Sequence, residues 1–194
     1  MSGRPRRTIF LDRDGVLNRA VVQAGKPYPP AGLAELQIVP DAPAALAALK
    51  AAGWLLVGVT NQPDVARGTQ LRAVVEAINA AVLAALPLQD IFVCYHDNRD
   101  GCECRKPRPG LLYQAVAKYR SDLTASVMIG DRWKDIEAGQ SAGCVTVLID
   151  CGYAEPPPAQ PPDYTAGSLS EAAEWILAHA AARKRKERRN AAVE

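Results

Sequence analysis

Thr8-Ile9-Phe10-Leu11-Asp12-Arg13-Asp14-Gly15-Val16-Leu17-Asn18 sets two carboxylates one residue apart where an apolar run stops. Thr8 to Leu11 are strand formers. Past the strand tip, the i, i+2 spacing aims Asp12 and Asp14 the same way, and Gly15 lets the backbone turn sharply or approach a bound group closely. Two acids in one small volume are costly unless a cation neutralises them, so the pattern asks for a hard, oxygen-seeking metal such as Mg2+. The chemistry that fits is phosphoryl transfer through an aspartyl-phosphate, one carboxylate attacking phosphorus and the other shuttling the proton to the leaving oxygen. A strand-end turn with solvated acids is the plainer reading of a lone D-x-D, and residues further along decide between them.

Working outward, residues 19–39 hold Gly25, Pro27, Pro29, Pro30 and Gly32, which exclude a helix and suit a long loop folded over the acidic site. Asp41 is expected to cap a helix over 42–52, followed by a buried strand over 54–60. Thr69 is expected to cap a helix over 70–86, whose Leu71, Val74, Val75, Ile78, Val82 and Leu86 share one face. Strands over 91–95, 126–130 and 145–149 alternate with helices over 109–119 and 135–142. The proline-rich segment 154–162 reads as a strap, and Ser168 with Glu171 has capping-box spacing for a last helix. Alternation of this kind predicts an α/β fold, a doubly wound open parallel sheet of Rossmann-like type, without internal repeats. Ligands bind such sheets beyond the carboxyl ends of the strands, where Asp12, Thr60, the residues after Tyr95 and Asp131 stand.

The second strand delivers Thr60-Asn61-Gln62, a hydroxyl and two amides where a phosphoryl group would sit. Thr60 alone could equally be a cap. The strand over 126–130 delivers Gly130-Asp131, then Arg132 and Asp135, and three acids around one spot need a shared counter-ion. Cys94-x-His96-x5-Cys102-x-Cys104 places four metal-ligating side chains within eleven residues, enough for a closed tetrahedral structural Zn2+ site, with buried free thiols or a redox pair as the alternatives. Such an ion would pin the loop leading to Arg105, Lys106, Pro107 and Arg108. Lys106 could reach the phosphoryl group and Arg105 could fork onto a phosphate oxygen pair. Cys144 and Cys151 read as core or surface thiols.

In this order, D-x-D-G-V-L-N, V-T-N-Q, C-R-K-P and G-D-x-x-x-D resemble the four motifs of the haloacid dehalogenase superfamily of phosphatases, over about residues 8–150. The cysteine-rich loop resembles the capless, zinc-carrying branch that includes D-glycero-D-manno-heptose 1,7-bisphosphate phosphatase and the histidinol-phosphatase domain. The resemblance implies Asp12 as nucleophile, Asp14 as acid and base, and Thr60, Arg105 and Lys106 stabilising the phosphoryl group. It implies Mg2+ on Asp12, the Asp14 backbone carbonyl and Asp131, and Zn2+ on Cys94, His96, Cys102 and Cys104. Arg13, Asn61, Gln62 and Arg132 are the expected substrate-binding residues. With no insertion large enough for a cap, Lys26, Arg67, Arg105 and Arg108 are the cations expected to meet a second phosphate. Residues 19–28 and Pro63 depart from the usual heptose pattern, so the substrate pocket is where this chain differs.

At 194 residues with 48% hydrophobic side chains, the chain suits one buried core. One phosphatase domain is expected over 8–182, with the zinc loop at 94–104, a flexible basic segment over 1–7 and a basic, frayed tail over 183–194. The +2 formal charge hides an asymmetry: residues 8–182 carry 14 basic and 19 acidic side chains, a net of −5. That body is a poor nucleic-acid surface, so the run over 183–189 reads as a solvated helix end before it reads as an arm for nucleic acid or an acidic partner. No apolar run approaches a membrane span and no signal peptide is visible, so a cytoplasmic, monomeric protein is expected. The expected partner is a small phosphorylated metabolite, a sugar bisphosphate first: removal of the 7-phosphate of a heptose bisphosphate, with histidinol phosphate as the rival substrate. A zinc-stabilised binding module is the non-enzyme alternative, against which the retention of both Asp12 and Asp14 argues.

Overall fold

Side chains along β1 (Thr8–Leu11) alternate between two cores. Ile9 and Leu11 join one apolar cluster, Phe10 the other, and all three are fully buried. A strand buried on both faces needs cover on both, and helices supply it. The computed structural model describes residues 5–191, with side chains as far as Ala182; expectations placed on residues 1–4 and on side chains from Arg183 onward lie outside the described residues.

After β1 come a short antiparallel hairpin, β2 (Val21–Gln23) and β3 (Lys26–Tyr28), then α1 (Ala42–Ala51), β4 (Leu55–Asn61), α2 (Arg72–Ala85), β5 (Asp90–Cys94), α3 (Gly110–Tyr119), β6 (Val127–Gly130), α4 (Trp133–Ser141), β7 (Val145–Ile149), β8 (Tyr164–Ala166) and α5 (Leu169–Ala191). The main sheet runs β5-β4-β1-β6-β7-β8, and every pairing is parallel. α1 and α5 cover one face through Leu46, Leu49, Leu169 and Ile176, while α3 covers the other through Leu111, Leu112 and Ala115. This is the doubly wound sheet that the alternating pattern predicts. The chain leaves β1 toward β4 on one side and returns through β6 on the other, so the topological switch point lies at the carboxyl end of β1, where Asp12 stands.

Several local expectations change. The loop after β1 contains the β2–β3 hairpin, whose three-residue strands are too short for a period-2 signal and include Pro27. Thr69 does not cap α2: the backbone amides of Thr69 and Gln70 bond Asp64 O at 2.9 and 3.1 Å, and the helix starts at Arg72. Asp41 does not cap α1 with its side chain; its Oδ2 accepts from Ser170 N at 2.7 Å, in the first turn of α5. Part of the flexible lead-in is anchored: Arg6 N bonds Arg120 O, Asp122 N bonds Arg6 O, and the Arg7 guanidinium lies 4.4 Å from the Trp54 ring centre. β8 was not foreseen.

Candidate active site

Asp12 leaves the end of β1 with its amide bonded to Ile129 O at 3.0 Å and is 7% exposed. Lys106, 2% exposed, places Nζ 2.6 Å from Asp12 Oδ1, 2.6 Å from Asp135 Oδ1 and 2.7 Å from Val59 O. Burial works against the Lys106 ammonium, but Asp12 and Asp135 outweigh it and push its pKa up. Asp12, Asp131 and Asp135 bring carboxylate oxygens within 4.8 Å of one another, all three residues being buried. At that separation each like-charge pair costs roughly 3 kcal/mol in an effective dielectric of about 20. Burial, with Asp135 and Asp14 adding and Lys106 opposing, pushes the Asp12 carboxyl up to about 7. Burial and then Asp12 and Asp135 push Asp131 well above the usual carboxylate range.

Two glycines let the acids come this close. A Cβ on Gly15, at φ +99°, would lie 1.8 Å from Asp131 Oδ2, and one on Gly130 would lie 2.0 Å from Asp135 Cβ. Both Asp131 carboxylate oxygens are buried without a hydrogen bond of normal geometry, and the nearby Tyr153 hydroxyl only partly offsets the burial that raises this acid. Three acids share one ammonium, and orphaned buried oxygens with an all-oxygen donor set suit a hard divalent cation such as Mg2+. The expected ligands are the carboxylates of Asp12 and Asp131 with the Asp14 backbone carbonyl; the structure adds the Asp135 carboxylate to the first two. The G-D-x-x-x-D spacing, which sets Asp131 just ahead of the first turn of α4 and Asp135 within it, was the available signal.

Asp14 accepts four hydrogen bonds from three side chains. Its Oδ1 accepts from Arg13 Nε at 3.1 Å and Asn18 Nδ2 at 3.0 Å, and its Oδ2 from Arg13 Nη2 at 2.9 Å and Gln62 Nε2 at 2.8 Å. Two expected substrate-binding residues are thereby corrected. Arg13 is fully buried, with Nη1 on Asn79 Oδ1 at 2.7 Å, and Gln62 is 1% exposed, its amide shared between Asp14 and Thr60 Oγ1. Neither lines the cleft; both orient Asp14. Asn61 does line it, but its amide is committed to the backbone of Lys106, accepting from N at 3.1 Å and donating to O at 3.0 Å.

Beside this cluster, Cys94, His96, Cys102 and Cys104 converge. The three Sγ–Sγ separations are 3.2, 3.6 and 3.7 Å, and His96 Nδ1 lies 3.3 and 3.6 Å from the Cys104 and Cys94 sulfurs. Four sulfurs about 2.3 Å from one tetrahedral ion would stand about 3.8 Å apart, so the quartet is close to a metal's dimensions, and none of its cysteines is in a disulfide. Cys144 is in the core and Cys151 is exposed. Backbone and side chains of the same loop hold two arginines: Arg105 donates to Asn98 Oδ1 and His96 O, and Arg67 forks onto Asp97 while also reaching Asp64.

These groups surround a cavity of about 210 Å³ that Asp12, Asp14, Thr60, Arg105, Lys106 and Arg132 all line. The hairpin supplies Lys26 to Pro29, so the loop after β1 does wall the site. Arg108 does not; it donates to Gly101 O, Cys102 O and Glu103. Arg67 lines the cavity with its charge already matched by two acids. Arg132 is ion-paired with Glu155 from the strap, and Ala154 N bonds Gly25 O of the hairpin turn. Lys134 also lines the cavity, its ammonium 5.3 Å from the Trp133 ring centre; burial, and then Arg132 and Arg105, push its pKa down. Nothing in the sequence pointed to Lys134 or Glu155.

A family model described as HAD-hydrolase-like matches residues 103–172. D-glycero-beta-D-manno-heptose-1,7-bisphosphate 7-phosphatase of Pseudomonas aeruginosa is 37% identical over 152 residues, covering 76% of this chain and 83% of that protein. The Escherichia coli K12 protein of the same name is 32% identical over 182 residues, with 87% of each chain covered. Among solved structures, D,D-heptose 1,7-bisphosphate phosphatase from B. bronchiseptica, complexed with magnesium and phosphate, superposes with a TM-score of 0.71 at 30% identity, covering 89% of this chain and 99% of that one.

Proposed function

Since this chain belongs to the haloacid dehalogenase-like hydrolases and is a phosphatase, we propose that it removes the 7-phosphate of D-glycero-D-manno-heptose 1,7-bisphosphate through an aspartyl-phosphate on Asp12. The observation that carries the mechanism is Asp12 at the switch point, with Oδ1 pinned by Lys106 and Oδ2 free of that ion pair. In the first step Asp12 attacks phosphorus, the P–O bond to the sugar breaks, and Asp14 gives the leaving oxygen its proton. In the second, Asp14 takes a proton from water, whose oxygen attacks the phosphorus and releases Asp12 and inorganic phosphate. To hold a proton, Asp14 must give up one of its four accepted hydrogen bonds. Thr60, Arg105 and Lys106, which line the cavity, would meet the charge on the transferring group. Mg2+, held by Asp12, Asp131, Asp135 and the Asp14 carbonyl, would neutralise the acids and the phosphoryl oxygens when bound. Zn2+ on Cys94, His96, Cys102 and Cys104 would fix the loop that positions Arg105.

The test is phosphate release, with Mg2+, from heptose 1,7-bisphosphate, the heptose 7-phosphate and histidinol phosphate. The bisphosphate is expected to give the highest kcat/KM. Faster turnover of histidinol phosphate would transfer the assignment to that substrate.

A further inference from the structure

We propose that Lys134 of α4, with Lys26 of the hairpin, forms a subsite for a second, non-reacting phosphate of the substrate, an inference that rests on Asp12 being the reacting end of the cleft. Six cations line the cavity, and their partners sort them. Lys106 is matched by Asp12 and Asp135, Arg67 by Asp64 and Asp97, and Arg132 by Glu155. Arg105 donates to neutral acceptors and, beside Lys106, belongs to the reacting phosphoryl group. Lys26 and Lys134 remain, and among the described residues neither makes an ion pair or a side-chain hydrogen bond. Each acid of the cavity is ion-paired elsewhere, Asp12, Asp64, Asp135 and Glu155 as above and Asp14 by Arg13; Glu155 and Asp135 favour the Lys134 charge without pairing with it, and burial with Arg132 and Arg105 outweighs them.

The position of Lys134 is electrostatically unfavourable for a purely structural lysine. It sits in the first turn of α4, where the helix dipole disfavours a cation, and is only partly exposed beside Arg132. The Trp133 ring holds the ammonium in place. Two unmatched ammonium groups in one cleft complement a phosphate monoester dianion, and binding that group remotely would orient the other phosphate toward Asp12. Arg67 and Arg108, which the sequence offered for this task, are excluded by their partners.

The test uses competitive inhibition of p-nitrophenyl phosphate hydrolysis by glucose 1,6-bisphosphate and by glucose 6-phosphate, in wild type, Lys134→Met, Lys134→Arg and Lys26→Met. In wild type the bisphosphate should bind about tenfold or more tighter than the monophosphate, as expected for one added charge-assisted contact. That ratio should shrink to within about threefold in Lys134→Met, shrink partly in Lys26→Met, and survive in Lys134→Arg. The ratio, and not either rate, carries the result. An unchanged ratio in Lys134→Met, equal weakening of both inhibitors, or no bisphosphate preference in wild type overturns the subsite. Failure to turn over heptose bisphosphate with the inhibition ratio intact removes the substrate assignment and leaves the subsite standing.

Discussion

Lys106 Nζ is shared between Asp12 Oδ1 and Asp135 Oδ1 inside a site with a third buried acid, so Lys106→Met strands carboxylates that no other ion pair among the described residues neutralises. Breaking a buried pair from one side costs about 3–5 kcal/mol, and losing a charge-stabilising group near the reacting atoms costs about a hundredfold or more in kcat. Urea unfolding with chelator present should show the first loss and steady-state kinetics the second. The acids themselves separate by leaving group. Asp12→Asn removes the attacking anion at constant volume and should abolish turnover of every ester while the fold survives. Asp14→Asn should lose far more activity on an alkyl phosphate than on nitrophenyl phosphate, whose leaving group needs no proton; equal losses on both would remove Asp14 from the acid role. Sequence placed Asp12 and Asp14 at the strand tip because period and chemistry agreed there. It misplaced Arg13 and Gln62, because a polar side chain in a site motif reads as facing the ligand when it can equally turn inward to hold an acid.

At the scale of elements, the cysteine loop joins chemistry to architecture: His96 O and Asn98 hold Arg105, and Asp97 holds Arg67. If Zn2+ fills the quartet, elemental analysis should find about one zinc per chain, and Cys102→Ser with Cys104→Ser should remove it. The double variant should also raise KM more than a distant surface change, since Arg105 loses its frame. Zinc unchanged in that variant sinks the assignment. Asp41 makes a second such link, capping α5 from outside through Ser170 N, so Asp41→Ala should cost about 1 kcal/mol of stability and leave kinetics untouched. The long apolar strands and amphipathic helices were legible because burial on both faces writes a strong pattern. Three-residue strands write none, and a cap residue does not announce whether it will serve its own helix or a neighbour's. Hence Thr69 and Asp41 were both read one element too locally.

For the whole molecule, the sheet gathers like charge at one end, where β1 and the β6–α4 unit deliver three carboxylates to a single buried spot. The cluster sets a pH dependence whose sign follows from the direction of the shifts. Asp12 is raised to about 7 and Asp131 is raised well above its ordinary value, both first by burial, so the folded protein holds protons that the unfolded chain releases. Their contribution to the stability of the metal-free protein is therefore fully present below the ordinary carboxylate pKa of about 4 and is lost as pH rises through about 7. Each kcal/mol lost corresponds to about 2–4 °C in Tm for a chain of this size. A divalent cation occupying the three acids replaces those protons, so Mg2+ should raise Tm little at pH 5 and substantially at pH 8, following the mass-action law for a ligand that binds only the folded state. Thermal scans at both pH values, with chelator and with Mg2+, measure this directly. In Asp131→Asn, which removes one charge at nearly constant volume, the metal-free fall with pH should flatten and the Mg2+ effect should shrink together. A Mg2+ effect equal at both pH values, or unaltered in Asp131→Asn, would place the ion somewhere other than these carboxylates.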